Sequence, residues 1–159
     1  MPRRILTLLL GALLALPALG GPAPDFSLRR TDGSVFRLKD HLGKQVILVD
    51  FWATWCGPCT KLLKKLQEMK DKYPDVLVVA ISIDDAGSQA KVAQYIQGRG
   101  YTFTVLLDPD TAVCKMFNPQ AGIPFTFIVD KKGEVAYTHT GYLPGQEKEL
   151  AEKLEALRK

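Results

Sequence analysis

A chain of 159 residues, 47% hydrophobic and 24% charged, is long enough to close one core and too short for two ordinary domains. Its formal charge of +4 includes Arg3 and Arg4 at the N-terminus, and the other cations are scattered among acids, which excludes a nucleic-acid footprint. Only Lys61, Lys64 and Lys65 cluster, and they read as a solvated helix face implying no strong electrostatic partner.

Arg3 and Arg4 precede an apolar run over 5–16, and Pro17 then breaks that run. Ala18 and Gly20 are small residues suited to cleavage after Gly20, so 1–20 reads as a signal peptide and 21–159 as one domain. An uncleaved N-terminal anchor is the alternative, because the uncharged stretch continues to Pro24. Either way the domain is expected outside the cytoplasm, in the periplasm or its equivalent.

Within 25–38, Asp32-Gly33 is a turn signal followed by Val35, Phe36 and Leu38, which predicts a short hairpin covering a sheet edge. The apolar, β-branched run 45–51 predicts a central strand buried on both faces. From 59 to 72, Leu62, Leu63, Leu66 and Met69 recur at helical spacing until Pro74. Another apolar strand is expected over 76–83, and a helix over 88–97 ended by Gly98. A strand over 103–107, a short helix over 111–117 and a hairpin of 125–129 with 135–140 follow. The chain closes on a helix over 146–158 with Leu150, Leu154 and Leu157 as its buried stripe. This order predicts an α/β domain with helices on both faces of a largely parallel sheet that carries an antiparallel edge.

Cys56 and Cys59 stand three positions apart where a strand gives way to a helix. A loop that short staples little, so the pair suits reversible redox change better than structural crosslinking. Unpaired NH groups and the helix dipole there stabilise a thiolate, which makes Cys56 the expected nucleophile. Pro58 loses no internal hydrogen bond at a helix start, and Gly57 is expected to let the turn tighten. A zinc site would need a second ligand pair, whereas Cys114, His41 and His139 are dispersed, so no metal is expected. Asp84, Asp85, Asp108 and Asp110 lack calcium-loop spacing and read as strand-end and turn residues. Cys114, among Val113, Met116 and Phe117, reads as a buried inert thiol, with a regulatory or metal-binding role as the alternative.

The run Asp50-Phe51-Trp52-Ala53-Thr54-Trp55-Cys56-Gly57-Pro58-Cys59 resembles the active-site strand and turn of thioredoxins. Gly122-Ile123-Pro124-Phe125-Thr126-Phe127-Ile128-Val129-Asp130 resembles the segment that carries the family's cis-proline, and the leader, hairpin and region 84–110 resemble the exported TlpA/ResA branch. The resemblance implies a thioredoxin-like three-layer sandwich, a mixed central sheet with helices on both faces, an N-terminal hairpin and an inserted strand and helix. It also implies that Cys56 attacks a substrate disulfide and Cys59 resolves the mixed disulfide. Asp50 would take the proton from Cys59, its pKa raised by burial; a structural acid paired with Lys39 or Lys44 is the alternative. Pro124, if cis, would lie against the cysteines and expose the backbone of Ile123 to a substrate strand. Trp55, Ile123 and Phe125 would form an apolar platform beside the sulfurs, with Trp52 as packing. The branch often has Asn on the strand and an acid after the second cysteine, where this chain has Asp50 and Leu62.

Gly57-Pro58 resembles the dipeptide of reducing members, so the function expected is an exported disulfide reductase cycling between dithiol and disulfide. No cofactor is expected beyond the Cys56–Cys59 pair. The implied partners are exported proteins with disulfides or thiols and a membrane thiol-disulfide electron donor, with no nucleic acid, and the chain is expected to be a monomer. Two other readings stay open. A thiol peroxidase is suggested by 105–109, which resembles peroxiredoxins although their Pro-x-x-x-Thr-x-x-Cys motif is missing. A copper chaperone would use the thiols with Met69 or Met116.

Overall fold

The computed structural model of the chain describes residues 20–159, so the leader predicted over 1–20 lies, apart from Gly20, outside the described residues. Two short strands, β1 (Ser27–Arg30) and β2 (Val35–Arg37), form the expected hairpin. Its turn is closed by the Asp32 carboxylate accepting from the Ser34 amide at 2.9 Å, and Gly33 supplies the positive φ of 84°. Strand β3 (Val46–Trp52) leads into α1 (Gly57–Lys72), β4 (Val76–Ser82) and α2 (Gln89–Gly98). Then come β5 (Thr104–Leu107), α3 (Ala112–Phe117), β6 (Phe125–Val129), β7 (Val135–Thr140) and α4 (Glu147–Leu157).

The seven strands make one mixed sheet in the order β2-β1-β5-β4-β3-β6-β7. Parallel pairing is confined to β3–β4 and β4–β5, which corrects the expectation of a largely parallel sheet. The reason is connectivity. The connections through α1 and α2 join parallel neighbours, whereas β1 pairs with β5, and β6 with β3, antiparallel. The extra strand and helix in the middle of the chain are α2 and β5.

Every residue of β3 is buried, and its alternation divides the core. Val46, Leu48 and Trp52 pack with Leu62, Leu63 and Leu66 of α1, Val92 of α2 and Leu154 of α4. Ile47, Val49 and Phe51 face the other way, onto Phe26, Phe36 and the α3 residues Val113 and Phe117. Helices therefore cover both faces unevenly, with α3 helped by the segment before and within the hairpin. Leu157 is only partly buried, so the stripe of α4 is carried by Leu150 and Leu154. Asp50 belongs, by position in β3, to the α1 face, directly opposite Thr126 of β6.

Candidate active site

Helix α1 begins two residues earlier than the apolar periodicity predicts because Cys56 is its N-cap. The Cys56 sulfur accepts from the amide of Cys59 at 3.3 Å, the Cys56 carbonyl accepts from Thr60 at 3.1 Å, and Pro58 occupies the first turn, where its missing N–H costs nothing. Cys56 and Cys59 are joined in a disulfide, their Cα atoms 5.3 Å apart. Cys59 is wholly buried, whereas Cys56 keeps 7% of its surface exposed. The cysteine at the helix head is thus the one of the two with surface open to another molecule.

Gly57 does not play the conformational part expected of it. Its φ is outside the left-handed region, and a Cβ there would meet nothing within 4 Å. The turn closes without glycine's freedom, and the absent side chain instead leaves the approach beside Cys56 uncovered. Trp55 is 69% exposed and Trp52 fully buried, in keeping with the resemblance.

The loop carrying Thr54 and Trp55 is tied to the neighbouring strand. Asp84, just past β4, accepts from the Thr54 amide at 2.9 Å, from the Thr54 hydroxyl, and from the Ser82 hydroxyl at 2.7 Å. It is thus more than the strand-end residue its spacing suggests. Its place at the carboxyl end of a parallel strand, where α/β sheets build their sites, is the signal of this role in the sequence.

Asp50 is fully buried, and the Thr126 hydroxyl donates to its Oδ1 at 2.8 Å. Its Oδ2 has no partner among the described residues. Neither lysine offered as a structural partner reaches it: Lys39 and Lys44 are exposed, and Lys44 donates to the Asp40 carbonyl. Burial pushes the Asp50 carboxyl up to about 8, against the smaller lowering effect of the Thr126 bond. Thr126, which nothing in the sequence pattern singles out, is therefore the one side-chain hydrogen-bond partner of this acid among the described residues.

The Ile123–Pro124 peptide is cis and Pro124 is buried. The loop before it is held by Asn118, whose amide donates to the Gly122 carbonyl at 2.9 Å, and the Pro124 carbonyl accepts from Gly141 at 2.8 Å. Among the described residues, Ile123 takes part in no backbone hydrogen bond, and its side chain is half-buried. Phe125 departs from the predicted platform. Alternation along β6 turns it, with Phe127, onto the far face of the sheet, 6.3 Å from the ring of Phe51, and gives the cysteine face to Thr126.

Cys114 is buried on α3, where its amide donates to Asp108 at 2.8 Å, and burial pushes its thiol up to about 12. We expect iodoacetamide to leave the folded, oxidised chain unlabelled and to label Cys114 once denaturant is added, as read by mass spectrometry. Rapid labelling of the folded chain would show an accessible thiol. The methionines of the copper reading are dispersed: Met69 is buried far down α1, and Met116 sits on α3 across the sheet.

A cysteine pair closed at the head of a helix, on this sandwich, defines a thiol-disulfide oxidoreductase of thioredoxin-like fold. The chain is 35% identical over 141 residues to the thioredoxin-like protein YneN of Bacillus subtilis, covering 86% of this chain and 78% of that one. It is 34% identical over 124 residues to the thiol-disulfide oxidoreductase ResA of Geobacillus kaustophilus, covering 78% and 70%. A crystal structure from Chlorobium tepidum, described as a thiol:disulfide interchange protein DsbE, superposes with a TM-score of 0.82 at 31% identity, covering 91% of this chain and all of that one. The chain belongs to the AhpC/TSA family, whose profile matches residues 19–138.

Proposed function

We propose that this oxidoreductase works as a reductase outside the cytoplasm, opening disulfides of other exported proteins. The observation that carries the reading is Cys56 at the N-cap of α1, slightly exposed where Cys59 is not, with its sulfur already accepting the Cys59 amide. A thiolate formed there keeps that hydrogen bond and the favourable end of the helix dipole.

In the cycle, Cys56 thiolate attacks one sulfur of the substrate disulfide. The substrate S–S bond breaks, a Cys56–substrate bond forms, and the displaced sulfur leaves as thiolate and takes a proton. Cys59 passes its proton to the Asp50 carboxylate and attacks the Cys56 sulfur. The mixed disulfide breaks, the Cys56–Cys59 disulfide forms, and the second substrate sulfur leaves reduced, so two electrons have passed to the substrate. A membrane dithiol donor then reopens the pair and is itself left as a disulfide, and Asp50, whose carboxyl burial pushes up to about 8, returns the proton to Cys59.

Substrate is held as an added strand on the unpaired backbone of Ile123, beside Pro124, with the exposed ring of Trp55 and the bare surface over Gly57 and Pro58 around the sulfur. Reducing rather than oxidising work is supported by the resemblance of Gly57-Pro58 to reducing members, and export by the apolar leader over 1–20. The test is insulin. The chain, recycled by dithiothreitol, is expected to speed precipitation of the insulin B chain well above dithiothreitol alone, and no acceleration would remove the reading.

A further inference from the structure

The lysines beside the cysteines are not a bare helix face. Lys61 and Lys64 of α1 line an open groove of about 470 Å³ together with Arg99, at the end of α2, and the rings of Tyr95, Tyr101 and Tyr142. Thr60, the residue after Cys59, lines its near end, so the groove opens directly off the active-site turn. Its far wall is fixed to α1: the Gln67 side chain accepts from the Thr102 amide at 2.8 Å and donates to the Thr102 hydroxyl at 3.0 Å. The guanidinium of Arg99 lies 3.6 Å from the Tyr95 ring centre, and that ring lies 5.4 Å from Trp52, so Arg99 is stacked onto the core rather than loose in solvent.

The charges here are uncompensated. Among the described residues the ion pairs are Lys65–Glu68, Lys72–Glu155 and Arg158–Asp75, and the residues before Gly20 contain no acid. Lys65 is therefore neutralised by Glu68, while Lys61, Lys64 and Arg99 have no carboxylate. The hydroxyls of Tyr95 and Tyr101 also make no hydrogen bond among the described residues, which leaves two further donors. The unpaired side chains of the groove are cations and tyrosine hydroxyls, all able to donate to a carboxylate, and the acid beside it, Glu147, already accepts from the Tyr142 hydroxyl and the Gly145 amide.

We infer that this groove is a docking surface for an acidic segment flanking the disulfide of the protein substrate, an inference that rests on the reductase reading above. Along α1, Lys61 lies about 8 Å beyond Cys56 at 1.5 Å per residue, a distance that an extended peptide covers in two or three residues. The carboxylates that matter are thus expected two or three positions from the cysteine that Cys56 attacks. An electrostatic groove of this kind raises the rate of encounter and sets partner choice.

The probes are three synthetic peptides with the same intramolecular disulfide, flanked at those positions by aspartates, by serines or by lysines. Each is mixed with the dithiothreitol-reduced chain, freed of excess reductant, and its reduction is followed over a single turnover. At low salt the aspartate peptide is expected to react about tenfold faster than the lysine peptide, with the gap closing at about 1 M salt, where the screening length falls to about 3 Å. The double substitution Lys61→Glu and Lys64→Glu is expected to reverse the order. Equal rates for all three peptides would overturn the docking surface and leave the reductase reading standing. Reduction of none of them would remove both. The salt titration of the unmodified chain separates the same outcomes without any variant.

Discussion

Cys56→Ser is expected to lower insulin reduction by at least about a thousandfold, the scale on which loss of a covalent nucleophile acts. The hydroxyl keeps its proton at neutral pH, so the favourable environment at the helix head has no anion to stabilise. Cys59→Ser should behave differently. Cys56 still attacks, but nothing resolves the product, and the chain accumulates as a mixed disulfide with its substrate, visible as a mass increase on a non-reducing gel. The asymmetry follows from burial: Cys59 has no exposed surface, and Cys56, at the N-cap, keeps some. Trapping by Cys56→Ser with loss of activity in Cys59→Ser would exchange the two roles. In the native host, the protein held by Cys59→Ser is the physiological substrate or donor.

Much of this site is legible in the sequence because its residues are neighbours in the chain. Asp50 to Cys59 is one run, and an apolar strand followed by a helical period at Leu62 places the cysteines at a helix start without any structure. What the sequence hides is what folding brings together from afar. Thr126 meets Asp50 only because β6 pairs with β3, and Asp84 holds Thr54 only because β4 lies parallel beside β3. The basic groove is hidden for the same reason. Three lysines on one helix resemble any solvated face, and their meaning changes once α2 and the loop after β7 bring Arg99 and three tyrosines alongside. Gly57 shows the opposite error, a residue given a conformational reason because glycine often has one, where the space it leaves is what the fold preserves.

Asp50→Asn is expected to make the chain more stable and less active. In the folded, oxidised chain the Asp50 carboxyl holds its proton up to about pH 8, whereas in the unfolded chain it ionises near the ordinary aspartate value of 3.8. Between those limits the unfolded state binds fewer protons than the folded one, so stability falls as pH rises through the window. Below it, Asp50 is neutral in both states and costs nothing; above it the full penalty applies, on the order of 6 kcal/mol at about 1.4 kcal/mol per pH unit. Asparagine removes the ionisation but buries an amide beside Thr126 with hydrogens left unpaired, at about 1–3 kcal/mol. The net gain in urea unfolding is therefore expected to be roughly 3–5 kcal/mol at pH 8.5, and to vanish or reverse at pH 4. A difference independent of pH would mean that Asp50 does not titrate in this window. The same substitution takes away the group proposed to exchange a proton with Cys59, and on that proposal resolution of the mixed disulfide is expected to slow about a hundredfold, the low end of what general acid-base catalysis contributes. If its removal strengthens the fold while slowing resolution, the buried acid is kept for chemistry, and the two measurements on one variant separate that cost from what it supplies.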